Sequence, residues 1–322
     1  MKTREDYLNH FIKKYHLTDL QWLNTDASTR RYARVHKKNK AYILMDSPLC
    51  EKPKEFVLID KILRKYNIPA PKIYAKDLRH GFILLEDFGT LLMSEATQNK
   101  KKMDDLYTLA VDTLIKLHKS VTKSDMAKLA PSTDFMIQEN NLFLKYYVAK
   151  VLNIKLPTKA IKEFKDIWNR LFLEMQKLPQ TLMLYDYHTN NIMVKADGSI
   201  GLLDFQDAMK GPIFYDLISL IEDERHPLSL SKRRIFLRHF FELRPVLASP
   251  KYASLLDVVA AHRHTRVLGR FGLLATTFDK KEYLKYAPND WMFIKENIKN
   301  PLLKEYRDWL KKYLPKQLKG AK

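Results

Sequence analysis

Cysteine is almost absent from this sequence, since Cys50 is the only one in 322 residues. A single thiol excludes an internal disulfide, and no cysteine cluster is available to hold zinc. No apolar run approaches the roughly 20 residues that a membrane-spanning helix needs. Residues 1–14 carry alternating charges where a signal peptide would need an apolar segment. Together these absences predict a cytoplasmic protein without a membrane span.

The chain also lacks internal repeats, flexible linkers and low-complexity segments. Its length allows a sizeable core and two lobes. A hydrophobic content of 46% and a charged content of 29% are ordinary for a soluble globular protein. Composition therefore predicts a folded protein and excludes fibrous and disordered classes.

Acidic residues are fewer than basic ones, 37 against 57, which gives a formal net charge of +20. Such a charge attracts phosphate-bearing partners. A nucleic-acid-binding protein should concentrate its basic residues on a stripe with interleaved aromatics. Here they are scattered along the chain, at 37–40, 100–102, 232–234, 280–281 and 311–322. We interpret them as a solvated surface and do not expect nucleic-acid binding; an anionic partner such as RNA or acidic lipid is the alternative.

The most informative stretch is 182–221, where three oxygen-bearing side chains are spaced in a telling way. Asn191 follows Asp186 by five residues, and Asp204 ends an apolar run. Between them, Asp197-Gly198 is typical of a tight hairpin turn. The pattern predicts two short strands that bring Asn191 and Asp204 close together, with Asp186 just upstream.

This arrangement suits phosphoryl transfer. One aspartate positions an acceptor hydroxyl and takes its proton, while an asparagine and a second aspartate hold magnesium against nucleotide phosphates. Magnesium prefers oxygen ligands. Taken singly, the asparagine could be a turn former and each aspartate a helix cap. The joint spacing favours Asp186 as catalytic base and Asn191 and Asp204 as metal ligands.

The segment Asp186-x-His188-x-x-Asn191, followed by an apolar strand and Asp204, resembles the aminoglycoside phosphotransferase and choline kinase superfamily, which is related to protein kinases. The run LLDFQDAMKGPIFYDLISL (202–220) is more specific. It resembles the bacterial anomeric sugar kinases, which phosphorylate N-acetylmuramate and N-acetylglucosamine at C1 in cell-wall recycling. The phrases DASTRRYARV (26–35) and HRHTRVLGRFGLL (262–274) resemble the same family, so the likeness covers nearly the whole chain.

The resemblance implies an α+β, two-lobed, protein-kinase-like fold. A small nucleotide-binding lobe with an antiparallel sheet would cover residues 1–87, and a large helical lobe would cover 88–322. Apolar spacing predicts the strands and helices. The strands are expected at 21–25, 41–45, 72–75 and 82–85. The helices are expected at 4–15, 54–66, from 101 onward, and at 134–151, 158–178, 215–224, 251–274, 281–286 and 302–314.

ATP and Mg²⁺ are implied as cofactors, bound in the cleft of this fold. The resemblance assigns nucleotide binding to the loop after the first strand and to the connector between the lobes. The residues concerned are Ser28, Thr29, Arg30, Arg31, Glu86 and Phe88. The loop has no glycine, so on its residues alone it could be an ordinary hairpin turn.

Two departures from the superfamily pattern affect the loop around Asp186. A histidine usually stands where this chain has Leu184, and glycine or arginine often stands where it has Tyr185. A third departure is that the strand at 41–45 lacks the lysine that contacts phosphates in many relatives. Arg30, Arg31 or Lys40 could supply that charge, and the sequence does not choose among them.

Substrate contacts are implied for a further set of residues: His188, Gln206, Asp207, Glu139, Arg225 and Arg263. Each has a structural alternative. Glu139 could be a solvated helix charge, and Arg263 or Arg266 could make a buried ion pair instead of binding a sugar carboxylate. Asp216 could cap a helix or brace the catalytic loop through its backbone amides.

These expectations combine into an ATP-dependent sugar kinase acting at C1 of N-acetylmuramate or N-acetylglucosamine, present as a monomer. One alternative is the same chemistry on an aminoglycoside or choline-like alcohol, although an amine substrate would call for an acidic pocket. The other is a non-catalytic, kinase-like scaffold that binds nucleotide, RNA or membrane.

Overall fold

The structure, a computed structural model, describes residues 3–23 and 29–318. The chain forms two compact units, Met1–Ala110 with Thr189–Ala208 and Val111–His188 with Met209–Lys322. The first unit contains an antiparallel sheet and the second is mainly helical, which confirms the predicted fold class. The boundary between functional lobes at residue 87 stays a prediction.

The strands and helices are numbered in chain order. The strands are β1 Thr18–Trp22, β2 Arg31–Lys37, β3 Lys40–Asp46, β4 Ile73–Asp77, β5 Phe82–Glu86, β6 Gln180–Met183, β7 Ile192–Val194, β8 Ile200–Leu202 and β9 Met209–Pro212. The helices of the first half are α1 Arg4–Tyr15, α2 Pro53–Lys65, α3 Met93–Ala96, α4 Lys100–Ser120, α5 Lys123–Met126, α6 Thr133–Leu142 and α7 Thr158–Met175. Those of the second half are α8 Tyr215–Ile221, α9 Leu230–Leu243, α10 Pro250–Ala253, α11 Leu256–Thr277, α12 Ala287–Asn297, α13 Lys304–Tyr313 and α14 Pro315–Leu318.

The main sheet of the first unit has the order β1-β2-β3-β5-β4, and its neighbouring strands are antiparallel. The β2–β3 hairpin pairs Arg31 with Asp46 at one end and Lys37 with Lys40 at the other. Alternate residues of β2 are buried, as expected where one face of a strand packs on a core. The core beneath this sheet includes Phe11 and Phe82.

Helix α1 covers the predicted residues 4–15 and packs on that core. Its N-terminus has a capping box, in which the Thr3 hydroxyl accepts from the Asp6 amide at 3.2 Å and the Asp6 carboxylate accepts from the Thr3 amide at 2.7 Å. These bonds satisfy amides that have no partner within the helix. The start of α1 was therefore readable from the sequence.

The hairpin β7–β8 is the second element of the first unit that matters for function. Its register pairs Ile192 with Leu202 and Val194 with Ile200. The turn is closed by the Lys195 amide donating to the Ser199 carbonyl at 2.8 Å, and Gly198 has a φ of +82°. Glycine adopts this left-handed conformation without steric cost, so the Asp-Gly prediction is confirmed.

The second unit is built around α11, which packs against α6, α12 and the π-helical segment Phe143–Val151. Two glycines allow this close approach. A Cβ at Gly269 would lie 2.5 Å from the Phe143 backbone nitrogen, and one at Gly272 would lie 2.6 Å from that of Tyr147. The glycines of the phrase at 262–274 therefore have a packing role.

Several boundaries differ from the predictions. The helix expected over 251–274 is in fact two helices, α10 and α11, separated by a turn at 254–255. The apolar spacing of this stretch continues through the turn, so the spacing alone did not indicate the break. The helix expected over 134–151 changes from α to π at Phe143. The pair β6–β9 and helix α9 were not predicted.

Across residues 3–23 and 29–318, none of the helices combines the length and apolar character needed to cross a bilayer.

Candidate active site

In the first unit, the hairpin β7–β8 brings Asn191 and Asp204 to the same end. The Leu203 amide donates to the Asn191 carbonyl at 2.9 Å, directly beyond the Ile192–Leu202 pair. Asn191 ends a short 3₁₀ turn, Thr189–Asn191, and Asp204 follows β8. The register of β7 and β8 therefore brings Asn191 and Asp204 close together along the backbone, as predicted.

Asp204 has a φ of +57°, in the left-handed region that aspartate tolerates better than most residues. Its Oδ1 accepts from the Arg30 guanidinium at 2.6 Å and from the Gln206 amide at 3.0 Å. The side chain is 36% exposed. The carboxylate is thus held in one orientation while part of it faces solvent.

These two residues fit a magnesium ion by their chemistry. An amide oxygen and a carboxylate at one hairpin end are hard oxygen donors. In the part of the chain that is described, no group of three His, Cys, Asp or Glu residues is arranged to cage a metal. A site with few protein ligands is typical of Mg²⁺ that is shared with substrate phosphates.

Gln206 and Asp207 continue from Asp204 in the same unit. The Gln206 amide also donates to Asp207 at 3.1 Å, and Lys52 donates to the other Asp207 oxygen at 2.5 Å. Burial alone would raise the pKa of Asp207, but Lys52 lowers it below its ordinary value. Gln206 thus contacts the candidate metal ligand Asp204 directly, and Asp207 contacts Gln206. The contact of both residues with the sugar stays a prediction.

The residues predicted to bind nucleotide differ in their surroundings. Ser28 lies outside the described residues. The Thr29 hydroxyl donates to Glu51 at 2.7 Å. Arg31 is ion-paired with the buried Asp46, whereas Arg30 reaches Asp204.

The connector after β5 is anchored by Arg34. Its guanidinium donates to Asp87 at 2.6 Å and to the Gly89 carbonyl at 3.0 Å. The Glu86 carboxylate accepts from the Lys72 amide, and the Phe88 ring lies against Gly201, where a Cβ would come within 2.4 Å of it. The predicted adenine-binding segment is therefore held in place by a charged side chain from β2.

In the second unit, the loop before Asp186 is braced by Asp216. Its carboxylate accepts from the Leu184 amide at 2.7 Å and from the Tyr185 amide at 2.9 Å. Burial raises the pKa of Asp216 to about 7, although these two amides oppose the shift. Of the two roles predicted for Asp216, the structure shows the brace.

Tyr185 occupies a conformation that is unusual for a bulky residue, with a φ of +76°. Such backbone costs of order 1–3 kcal/mol and persists where the surroundings impose it. Its ring stacks on Tyr215 at 5.4 Å, and the Arg266 guanidinium lies 3.9 Å from the ring centroid on a face of Tyr185. The positive φ also gives a physical reason why relatives often have glycine here.

Arg266 links the candidate base to Glu139. Its Nη2 lies 3.4 Å from Asp186 Oδ1, and its Nε lies 3.5 Å from Glu139 Oε2. Arg270 contacts the same Glu139 oxygen at 2.8 Å. Glu139 is 8% exposed, so the expectation of a solvated helix charge is wrong, because α11 packs close enough to bring two arginines onto it.

His188 is half-buried, and its Nε2 accepts from Arg225 at 3.2 Å. Burial, together with Arg225, holds the pKa of His188 well below its ordinary value. A lowered pKa disfavours the charged imidazole, so His188 is poorly suited to supply positive charge to an anionic sugar. Contact between His188 or Arg225 and the sugar stays a prediction.

Arg263 makes the buried ion pair that the sequence left open. Its Nη1 lies 2.8 Å from Glu224 Oε2, and it is 3% exposed. Burial alone would raise the pKa of Glu224, but Arg263 and Arg225 bring it below its ordinary value. The geometry favours a structural role for Arg263 over its predicted contact with the sugar.

Two residues at these places were missed by the sequence reasoning, Arg34 and Arg270. A signal for Arg34 was available in the sequence, because Tyr32 and Arg34 are two residues apart and therefore share one face of β2. Arg270 lies one helical turn after Arg266, which places both on one face of α11. Nothing local identified Glu139 as their shared partner.

Known proteins resemble this chain over most of its length. The profile of the phosphotransferase enzyme family matches residues 19–255. A curated N-acetylmuramate/N-acetylglucosamine kinase from Pseudomonas putida is 28% identical over 284 residues, which cover 85% of this chain and 82% of that protein.

Solved structures show the same fold at low sequence identity. An ethanolamine kinase from Plasmodium vivax superposes with a TM-score of 0.66 at 16% identity, covering 91% of this chain and 89% of that one. The ADP-bound aminoglycoside phosphotransferase APH(2'')-Ib gives 0.61 at 14% identity, covering 89% and 98%. Since the family profile spans well over half of the sequence, the chain belongs to the phosphotransferase enzyme family.

Proposed function

We propose that this protein is an ATP-dependent kinase for the anomeric hydroxyl of N-acetylmuramate, N-acetylglucosamine or both, in cell-wall recycling. The observation that carries the reaction type is the hairpin register that sets Asn191 and Asp204 at one end of β7–β8. Asp186 precedes Asn191 by five residues, the spacing from which phosphoryl transfer was predicted. The choice of sugar rests on the curated relative, which is matched over most of both chains.

In the proposed mechanism, Asp186 accepts the proton of the C1 hydroxyl. The sugar oxygen forms a bond to the γ-phosphorus of ATP while the bond from phosphorus to the ADP oxygen breaks. An anomeric hydroxyl is more acidic than an ordinary alcohol, so a carboxylate is a suitable base. Asn191 and Asp204 would hold Mg²⁺, which neutralises charge on the phosphate oxygens when it is bound.

The surroundings of Asp186 favour an anionic or neutral sugar over an amine. Arg266 lies beside Asp186, and Arg270, which is 42% exposed, lies on Glu139. A cationic substrate such as choline or an aminoglycoside would meet these guanidinium groups at a cost in electrostatic energy. We therefore place the amine-bearing alcohols second, although solved kinases for such substrates share the fold.

We also propose that the protein works in the cytoplasm, where ATP is available, and that it is a monomer. Elution volume and light scattering would test the oligomeric state.

A substrate screen tests the proposal. ADP release should be measured with Mg²⁺-ATP and four acceptors: N-acetylmuramate, N-acetylglucosamine, choline and an aminoglycoside. We expect release with one or both sugars and only background with the amines. Release with an amine alone would replace the proposed substrate, and background with all four would contradict the sugar-kinase assignment.

A further inference from the structure

Strand β3 lacks the lysine that contacts phosphates in many relatives, so the question is which other cation of this chain would contact them. The last residues of strand β3 are Leu44, Met45 and Asp46, and Met45 is fully buried. None of the three is a cation, although many relatives are expected to have a lysine at this part of the strand. Three nearby cations could take the role: Arg30, Arg31 and Lys40. In the described part of the first unit, these three cations differ in the side chains that they contact.

Arg31 is committed to another carboxylate. Its Nε donates to Asp46 Oδ2 at 2.9 Å, and its guanidinium lies 4.4 Å from the centroid of the Trp22 ring. Asp46 is 1% exposed and also accepts from Arg4 at 2.9 Å. A buried carboxylate requires compensating charge, so removing Arg31 from Asp46 would be costly.

Lys40 lies at the wrong end of its hairpin. It pairs with Lys37, whereas Asp46 pairs with Arg31, which lies six residues before Lys37 on β2. At roughly 3.3 Å per residue, the two ends are about 20 Å apart. Lys40 lies over the rings of Tyr42 and Tyr74 instead.

Arg30 is the candidate whose guanidinium reaches the proposed metal ligand. Its Nη2 lies 2.6 Å from Asp204 Oδ1, and its Nη1 donates to Gln206 Oε1 at 2.6 Å. The same nitrogen lies 3.3 Å from the Tyr32 hydroxyl, and Nε lies 3.4 Å from Glu51. Arg30 is 5% exposed, so its orientation is set by these contacts.

Gln206 is arranged to keep Arg30 in that orientation. Its carbonyl oxygen accepts from Arg30, while its amide donates to Asp204 and Asp207. The side-chain oxygen and nitrogen of Gln206 therefore have partners of the matching kind. The positive charge of Arg30 is therefore held beside the candidate metal ligand, and a planar guanidinium is a group that suits phosphate oxygens.

We propose that Arg30 is the cation that binds the terminal phosphates of the nucleotide beside Asp204, and that Gln206 positions it. The loop before β2 then contributes a guanidinium where many relatives use a lysine on β3, which also accounts for a phosphate loop without glycine. This inference rests on the proposed use of ATP.

The test is nucleotide binding by calorimetry, with Mg²⁺-ADP and with adenosine, which has no phosphate. Arg30→Ala should weaken Mg²⁺-ADP binding about 10- to 100-fold, the range expected when a charge-assisted hydrogen bond is lost. Adenosine binding should be unchanged, which also shows that the variant is folded. Arg30→Lys should restore part of the affinity, and Gln206→Ala should cause a smaller loss of the same kind.

Matched variants separate the alternatives. Arg31→Ala and Lys40→Ala should each weaken Mg²⁺-ADP binding less than Arg30→Ala does, and the exposed Arg79→Ala should leave it unchanged. An Arg30→Ala affinity equal to that of the wild type, or a larger loss in Arg31→Ala or Lys40→Ala, would overturn the role of Arg30 alone. A wild-type protein that binds no Mg²⁺-nucleotide would overturn the proposed function as well, so the two failures are distinguishable.

Discussion

Two candidate aspartates, one in each unit, lie beside a buried arginine, but they are held differently. In the first unit, Arg30 and Gln206 bind Asp204 Oδ1 at 2.6 and 3.0 Å. In the second unit, Arg266 lies 3.4 Å from Asp186 Oδ1, near the outer limit for a hydrogen bond. The proposed metal ligand is thus held by two short contacts, while Arg266 lies farther from the proposed base, which follows a braced loop.

The loop before Asp186 is held by other residues of the second unit. Asp216 accepts from the amides of Leu184 and Tyr185, and the Tyr185 ring contacts both Tyr215 and Arg266. The comparison teaches that Arg30 contacts the proposed metal ligand directly, whereas Arg266 lies both beside the proposed base and on the ring of the preceding residue, Tyr185. The predictions below break or sharpen this difference, starting with the largest effect.

Replacing the base should have the largest effect on turnover. Asp186→Asn keeps the shape of the side chain but removes its capacity to accept a proton, so we expect kcat to fall roughly 10²- to 10⁴-fold. The affinity for Mg²⁺-ADP should stay within about 3-fold of the wild type, well below the tenfold change that 1.4 kcal/mol would produce. Steady-state kinetics and calorimetry measure the two quantities, and a variant that keeps wild-type kcat would show that Asp186 is not the base.

Replacing the metal ligand should change a different quantity. Asp204→Asn removes a charged oxygen donor, so we expect the Mg²⁺ concentration for half-maximal activity to rise roughly 10-fold or more. Asn191→Asp keeps an oxygen donor and should raise it less than Asn191→Ala. A magnesium titration that gives the same midpoint for Asp204→Asn and the wild type would exclude Asp204 as a ligand.

Weakening the arginine beside the base should have a moderate effect. Arg266→Lys keeps the charge but loses the planar group that lies on Tyr185 and spans Asp186 and Glu139. We expect kcat to fall about 10-fold, since one charge-assisted contact contributes about 1.5–3 kcal/mol, with little change in the KM for Mg²⁺-ATP. If the KM changed and kcat did not, Arg266 would contact nucleotide instead of positioning Asp186.

The smallest effects concern two buried carboxylates, Asp216 in the second unit and Asp60 in the first. Burial raises the pKa of each to about 7, but Asp216 accepts two backbone amides, whereas Asp60 Oδ1 has no hydrogen-bond partner within the described structure. Asp216→Asn should therefore destabilise the protein by about 1–3 kcal/mol, because an amide leaves one backbone N–H unsatisfied.

Asp60→Asn should instead remove a pH-dependent cost. A carboxyl whose folded pKa is raised stabilises the fold below its unfolded pKa, and that contribution is lost as the pH rises toward about 7. Relative to the wild type, Asp60→Asn should gain about 1–3 kcal/mol between pH 4 and pH 8. Urea denaturation across this range measures the gain, and parallel pH curves for the two proteins would contradict it.

Local patterns predicted much of the fold. The capping box of α1, the Asp-Gly turn of β7–β8 and the apolar stripes of α2 and α7 were readable because their signals lie within a few residues. The prediction that Asn191 and Asp204 lie close together depended on this turn between β7 and β8. The brace from Asp216 to the loop before Asp186 was one of two roles expected from the sequence.

Other features depend on contacts that local sequence does not encode. The pair β6–β9 joins segments almost thirty residues apart along the sequence. A solvated position was one of the two alternatives for Glu139, and local sequence did not indicate its burial, which depends on the close packing of α11. Likewise, the choice among Arg30, Arg31 and Lys40 required the register of β2 and β3, which sequence alone left open.

The most direct measurement is phosphorus NMR of the product formed from Mg²⁺-ATP and N-acetylmuramate or N-acetylglucosamine. If the account is right, the wild type produces a sugar phosphate whose phosphorus couples to the anomeric proton, and Asp186→Asn produces it far more slowly. A phosphate on another hydroxyl, or equal product from both proteins, would contradict it.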